Sequence, residues 1–267
     1  MGGYRAKKRL GQNFLTSRAI IDKIRDVVNA KPGEVIIEIG PGRGALTVAL
    51  AETGAKIVAV EFDRDLAGYL GKLAARYENL QIIQADFLSY EPDYDCYKLV
   101  GNLPYNITSP VIDWVVRHRD NITGAVFMVQ KEVGRRLASS AGSKNWSPIA
   151  IFTQLHFDVQ ICFDVSPIHF EPPPKVTSSV IELKPKKSIH VDNFDLFETV
   201  VRHAFKQRRK TLVNNLMEGL SGERADVVGV LTEMGLSERC RAEELSIARF
   251  LELTNHLASH TIFPYKD

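Results

Sequence analysis

Five residues, Val35-Ile36-Ile37-Glu38-Ile39, form a short, β-branched and nearly continuous apolar run. Such a run fits a parallel strand buried on both faces. It opens into Gly40-Pro41-Gly42-Arg43-Gly44 and then into Ala45-Leu46-Thr47-Val48-Ala49-Leu50-Ala51, which reads as a helix. Strand, glycine turn and helix in immediate succession leave few architectures open. Glycines at such a turn let the backbone approach a ligand closely.

The pattern then repeats with a functional group at each strand end. Residues 56–60 form a second apolar strand that ends in Glu61. An acid at the tip of the second strand is placed to hold the two hydroxyls of a ribose. Residues 80–84 form a third strand, followed by Asp86, a candidate partner for an adenine amino group. Residues 98–101 form a fourth, which delivers Asn102. Alternating strands and helices predict a doubly wound α/β sheet, in which ligands bind at the carboxyl ends of the strands. Gly40, Glu61, Asp86 and Asn102 then share one rim. A nicotinamide dehydrogenase would share the glycines and Glu61. The glycines follow a Gly-x-Gly-x-Gly rhythm, however, and not the Gly-x-Gly-x-x-Gly expected around a pyrophosphate. A nucleoside ligand without phosphates, S-adenosylmethionine, suits the loop better.

A dehydrogenase also gives no reason for Asn102-Leu103-Pro104-Tyr105-Asn106. An adenine amino group has two N–H donors and a lone pair delocalised into the ring. The Asn102 side-chain oxygen and the Leu103 carbonyl can each accept one of those hydrogens. Pro104 holds the residue before it extended, which aims that carbonyl outward. Tyr105 offers a face for a flipped base, and such stacking is worth roughly 1–3 kcal/mol per base. An ordinary strand-end turn uses the same residue types. Farther on, Phe170-Glu171-Pro172-Pro173-Pro174-Lys175 makes a stiff loop. On chemistry alone Phe170 fits either a wall of the base pocket or an apolar anchor for that loop.

The 267 residues carry a formal net charge of +2, so placement says more than the sum. Arg5, Lys7, Lys8 and Arg9 crowd an N-terminal arm, and Arg202, Lys206, Arg208, Arg209 and Lys210 form a second cluster. Two cationic patches in a near-neutral chain point to a polyanionic partner, although solvated surface is the usual meaning of one such run. If the second cluster lies on one helical surface, it makes a phosphate-facing patch. Cys96, Cys162 and Cys240 show neither metal-ligand nor disulfide spacing, as in a reducing cytoplasm. The histidines are scattered, and no metal site is expected. No apolar run is long enough to span a membrane.

A helix is expected after Ser17, with Ile20, Ile21, Ile24, Val27 and Val28 on one face, ending at Lys31-Pro32-Gly33. Helices are also expected over 109–117 and 131–138, with another starting at Ser147-Pro148. Strands are expected over 125–129, 154–163 and 176–183. Lys184-Pro185-Lys186-Lys187-Ser188 is the linker candidate, and beyond it the pattern is helical only: 196–205, 210–217, 225–234 and 244–257. Two domains are thus expected, 1–187 with the basic arm and 188–267.

Taken together these stretches resemble the ribosomal RNA adenine N6,N6-dimethyltransferases of the bacterial small-subunit (16S) type. The resemblance spans nearly the whole chain. It rests on Leu10-Gly11-Gln12-Asn13-Phe14-Leu15, Glu38-Ile39-Gly40-Pro41-Gly42-Arg43-Gly44, Val60-Glu61, Ala85-Asp86 and the stretch 101–106. It continues through Phe127-Met128-Val129-Gln130-Lys131-Glu132-Val133, the stretch 170–176, and Ala204-Phe205-Lys206-Gln207-Arg208-Arg209-Lys210-Thr211-Leu212. It implies a Rossmann-like class I methyltransferase domain with a small all-helical C-terminal domain that binds RNA. It implies that Asn13, Leu15, Gly40, Glu61, Asp86 and Asn102 line the S-adenosylmethionine site, and that Tyr105 and Phe170 sandwich the target adenine beside Asn102, Leu103 and Pro104. The implied substrate is two adjacent adenosines near the 3′ end of small-subunit RNA in an immature 30S subunit. A cytoplasmic monomer is expected. The group that methylates large-subunit RNA and confers macrolide resistance shares these motifs, and a mainly non-catalytic assembly role is a further alternative.

Overall fold

The computed structural model describes residues 12–187, 189–260 and 262. Two compact units form: the described part of Met1–Ala138 with His156–Lys186, and Ser139–Leu155 with the described part of Lys187–Asp267. Residues 139–155, expected in the first part of the chain, therefore belong with the helical second unit. The reason is apolar packing, since Trp146, Ile151, Phe152 and Leu155 share one buried cluster with Phe197, Leu216 and Phe250.

The first unit is built on a seven-stranded sheet. Its strands are β2 (Val35–Ile39), β3 (Lys56–Glu61), β4 (Leu80–Gln84), β5 (Tyr97–Asn102), β6 (Ile122–Gln130), β7 (Phe157–Val165) and β9 (Ser178–Pro185). Their order is β4-β3-β2-β5-β6-β9-β7. The first five are parallel and β9 is antiparallel to both neighbours. From β2 the chain builds outward through β3 and β4, then returns to the other side of β2 with β5. That reversal between β2 and β5 opens a crevice at the carboxyl ends of the strands.

The apolar runs explain why these strands sit in the middle. Ile36, Ile57, Ala59, Val100 and Val126 join one buried cluster with Ile20, Ile21 and Ile24 of α1 (Arg18–Val28) and Ala49 and Leu50 of α2 (Ala45–Ala51). Ile37, Ile39, Val58, Val60, Leu99 and Phe127, one residue out of phase, point to the opposite face and are equally buried. Helix α1 stops at Asn29, which takes the left-handed conformation that closes its last turn. That is two residues before the expected Lys31-Pro32-Gly33.

The crossover helix α3 (Arg64–Ala74) begins at Asp63, whose carboxylate accepts the Asp65 N–H. The sequence pattern does not announce it, because Gly68 and Gly71 lower its helix propensity. Helices α4 (Thr108–Arg117) and α5 (Lys131–Leu137) match the expected 109–117 and 131–138. The expected strand 154–163 is corrected at its start. Helix α6 (Pro148–His156) runs on to His156 before β7 begins, and inside it the Thr153 hydroxyl donates to the Ile149 carbonyl at 2.7 Å. Two short strands, β1 (Phe14–Leu15) and β8 (Phe170–Glu171), pair antiparallel across the whole unit.

The second unit also holds α7 (Phe194–Ala204), α8 (Leu212–Leu216), α9 (Arg224–Glu233) and α10 (Ile247–Ser259). They match the expected helical stretches with ends shifted by a few residues. Residues 205–211 connect α7 to α8, so Phe205, Lys210 and Thr211, expected at helix ends, fall in the loop. Among the described residues no helix is long and apolar enough to cross a membrane.

Strands β2 and β5 meet unusually closely at Gly101, which pairs with Ile39. A Cβ there would stand 2.8 Å from the Ile39 carbonyl oxygen and 3.2 Å from the Ile39 Cβ. Gly101→Ala should therefore destabilise the first unit by about 1–3 kcal/mol, the usual cost of overpacking a dense core. Denaturant unfolding followed by fluorescence checks this, and a midpoint equal to wild type would show that the strands can separate without loss.

Candidate functional site

The crevice between β2 and β5 holds a cavity of about 240 Å³, lined by Asn13, Gly40, Glu61, Asp86, Asn102, Leu103, Pro104, Tyr105 and Phe170. Nine of the ten residues expected at the cofactor and base sites thus converge on one space. The tenth, Leu15, lines instead a smaller cavity of about 50 Å³ that also reaches Glu38, Gly42 and Asn102.

Each wall has a local cause. The turn after β2 winds through Gly40 and Gly42, both at positive φ. At Gly42 an added Cβ would meet the Phe14 ring at 2.9 Å, so the ring can lie against the turn only because no side chain is there. Glu61 is 5% exposed at the tip of β3. Its two oxygens accept the N–H of Asp63 at 2.8 Å and of Gly42 at 3.2 Å. A carboxylate has about four acceptor positions, so these backbone contacts leave capacity for a further donor such as a ribose hydroxyl. Burial pushes the Glu61 carboxyl above its usual range, and the backbone N–H groups of Asp63, Gly42 and Phe62 pull it part of the way back. Asp86 is exposed at the tip of β4, its carboxylate accepting the Leu88 N–H at 3.0 Å. Phe62, 56% exposed on the same rim, is an aromatic face that the strand-end reading passed over. Its signal was available: an aromatic residue directly after the acid.

Asn102 is fixed from outside its own strand. Its amide nitrogen donates to the Asn13 carbonyl at 2.9 Å. A carbonyl only accepts, so the nitrogen must face it, and the side-chain oxygen is the acceptor that remains. Leu103 is buried, and its N–H donates to the Met128 carbonyl at 3.0 Å, which sets the peptide that leads into Pro104. The Tyr105 hydroxyl lies 3.2 Å from the Ser178 hydroxyl. Next along β9, the Ser179 hydroxyl donates to Asp164 at 2.6 Å, and Asp164 also pairs with Lys131. These two partners hold the Asp164 carboxyl below its usual range. Ser178 is thus a supporting residue that sequence reasoning missed, since its partner is 73 positions away.

Phe170, left open between pocket wall and loop anchor, does both. It lines the cavity and is 5% exposed within the apolar cluster under the sheet. It reaches that place through the pairing of β8 with β1, reinforced by Thr16, whose N–H and hydroxyl both donate to the His169 carbonyl. Arg43 ties the glycine turn to this cover. Its guanidinium pairs with Glu171 at 2.6 Å and lies 4.7 Å from the centre of the Phe14 ring.

Of the cationic residues, Arg5, Lys7, Lys8 and Arg9 lie outside the described residues. The second cluster is exposed in the second unit, and the condition of one helical surface is not met. Arg202 is on α7, paired with Glu198 at 2.6 Å, whereas Lys206, Arg208, Arg209 and Lys210 occupy the loop before α8. The chain leaves the helix there because the buried Asn215 amide donates to the carbonyls of Ala204 and Gln207, at 2.7 and 3.1 Å. Among the described residues, no group of His, Cys, Asp or Glu could hold a metal ion.

The family model for ribosomal RNA adenine dimethylase matches residues 3–259. The chain belongs to that family. It is 41% identical over 262 residues to the ribosomal RNA small subunit methyltransferase A of Pseudomonas putida, covering 96% of each chain. It is 40% identical to the protein of that name from Francisella tularensis subsp. novicida, covering 95% of this chain and 98% of that one. Among solved structures it resembles a dimethyladenosine transferase from Plasmodium falciparum, with a TM-score of 0.82 and 28% identity over 94% of this chain and all of that one. It also resembles the 23S rRNA methyltransferase ErmE, with a TM-score of 0.73 and 26% identity over 92% of this chain and all of that one. The enzyme is therefore an S-adenosylmethionine-dependent ribosomal RNA adenine methyltransferase of Rossmann-like fold. The residues present fit that cosubstrate: a buried acid at a strand tip, a glycine turn open to close approach, and an exposed aromatic face on the same rim.

Two expectations follow. If Glu61 holds the ribose hydroxyls, Glu61→Ala removes a charge-assisted contact worth about 1.5–3 kcal/mol, and S-adenosylmethionine should bind at least about 10-fold more weakly by calorimetric titration. Unchanged affinity would remove Glu61 from the cosubstrate site. Glu38 concerns stability. It is 2% exposed, and burial, with Glu61 adding to the effect, pushes its carboxyl from the ordinary 4.5 up to about 7. Between those values the folded chain holds a proton that the unfolded chain has lost, so stability falls as pH rises from about 4.5 to about 7. Glu38→Gln should match wild type near the lower value and exceed it above the higher one. Denaturation midpoints measured across that range for both proteins, without ligand, give the comparison.

Proposed function

We propose that the enzyme methylates N6 of two adjacent adenosines near the 3′ end of small-subunit ribosomal RNA, twice each, acting as a cytoplasmic monomer on an immature small subunit. The observation that carries the reading is the Asn102 amide, whose nitrogen is committed to the Asn13 carbonyl and whose oxygen is left to accept. The small-subunit assignment draws on the names of relatives about 40% identical over nearly the whole chain.

The target base leaves its stack to enter the cavity. Tyr105 and Phe170 supply apolar faces for it. The Asn102 oxygen and the Leu103 carbonyl accept the two N6 hydrogens and favour the positive charge that develops on that nitrogen. S-adenosylmethionine, when bound, supplies an electrophilic methyl group on a sulfonium. Positioning carries most of the catalysis, and alignment of two bound reactants is worth several orders of magnitude. The methylated ammonium is acidic and loses its proton to water, so no strong base is required beside it. One N–H remains after the first transfer, which permits the second.

Labelled S-adenosylmethionine incubated with unmethylated small subunits, followed by nucleoside analysis, tests the assignment. Dimethyladenosine in small-subunit RNA is expected, and label confined to large-subunit RNA or absent from adenosine overturns it. Asn102→Ala should lower the single-turnover rate on the order of 10²-fold, as for loss of one fixed polar contact in a transition state, while RNA affinity stays near wild type. A rate equal to wild type would exclude Asn102 from the chemistry.

A further inference from the structure

The loop after α7 carries an arrangement that cofactor and base binding do not use. Lys206 Nζ lies 3.0 Å from one oxygen of Glu218, and Lys210 Nζ lies 2.7 Å from the other. The Gln207 side-chain nitrogen donates to that second oxygen at 3.0 Å. Two ammonium groups and an amide thus converge on one carboxylate. The loop that presents them is rigid, because Asn215, 1% exposed, accepts the Gln207 N–H at 3.2 Å and donates to the carbonyls of Ala204 and Gln207. Lys206 and Lys210 remain about half exposed, at 52% and 43%. The two lysines hold the Glu218 carboxyl down at about 2, so it is a full anion at any working pH.

We infer that Lys206, Gln207 and Lys210 form a binding site for one backbone phosphate of the RNA substrate, which Glu218 occupies in the free protein and vacates when RNA docks. The donor set is the reason. Ammonium groups and an amide arranged around a single oxyanion suit a phosphate as well as a carboxylate, and the phosphate brings more charge. Exposed ion pairs of this kind are individually weak, so a polyanion can displace the internal one. Glu218 then acts as a competitor that penalises isolated phosphates and non-specific RNA, and yields only where other contacts hold the substrate. The inference rests on the proposal that small-subunit RNA is the substrate.

Binding of unmethylated small subunits, titrated between about 50 and 200 mM salt, tests it. Glu218→Gln keeps the shape of the side chain and removes its charge. It should tighten binding about 3- to 10-fold and steepen the salt dependence by about one phosphate contact. Glu238→Gln, which removes a charge paired with Arg224 elsewhere in the same unit, should change neither and so controls for net charge. The Lys206→Ala, Lys210→Ala double variant should weaken binding and flatten the slope. If Glu218→Gln binds no more tightly while the lysine variant binds more weakly, the carboxylate is a brace and the inference fails, although the lysines still meet RNA. If the lysine variant binds like wild type, there is no phosphate site here. Wild-type protein that fails to bind small subunits at all would instead overturn the substrate assignment.

Discussion

Ile39 and Gly101 lie side by side in the parallel ladder between β2 and β5, and that pairing sets Asn102 beside the glycine turn. The chain reverses its direction of travel across the sheet there, so the crossovers diverge and leave a crevice. Gly101 has no side chain to fill the space beside the Ile39 carbonyl. Asn102 therefore emerges level with Gly40, one residue past Ile39 on the neighbouring strand. The glycine turn and the turn that follows Asn102 are brought together by two adjacent backbones, not by flexible side chains. A site built this way can hold two reactants in line without large rearrangement.

The cover over the crevice links its two halves. The β1–β8 pair joins the chain near Asn13 to the loop that holds Phe170. Arg43, from the glycine turn, pairs with Glu171 and stacks on Phe14. The Asn13 carbonyl in turn orients Asn102. A change on the cosubstrate side that moved β1 would therefore act on both the orienting amide and the aromatic wall. Arg43 and Glu171 are partly exposed, so this pair contributes at most about 1 kcal/mol, and the buried Phe14 and Phe170 rings carry more of the closure.

Much of this was readable along the chain because strand ends are local events. An apolar run followed by Gly40, Glu61, Asp86 or Asn102 places those residues on one rim as soon as the sheet is parallel. What was not readable depends on pairing between distant segments. Tyr105 with Ser178, Phe14 with Glu171 and Lys131 with Asp164 have no sequence period that brings them together. Residues 154–156 illustrate the ambiguity of a short apolar run, which suits a strand or a buried helix until its neighbours decide. The basic cluster illustrates another limit. Whether its members share one face could not be read from their order; a buried asparagine holds the loop after the helix and turns the lysines toward an acid that sequence distance conceals.

The distribution of charge around the cavity favours an amide over a carboxylate at position 102. Glu38 and Glu61 are both buried beside the glycine turn, and both carboxyls are pushed upward by desolvation. Asn102 borders the same two cavities as these acids. Asn102 is half-buried, and a carboxylate at its position would be a third acid next to two whose charged forms are already disfavoured, so like-charge repulsion would favour its protonation. In that form one of its oxygens becomes a donor, the wrong role against the amino group of the proposed target base. An amide keeps one oxygen that only accepts and spends its nitrogen on the Asn13 carbonyl. The neutral side chain thus holds its acceptor role at every pH at which the two acids titrate.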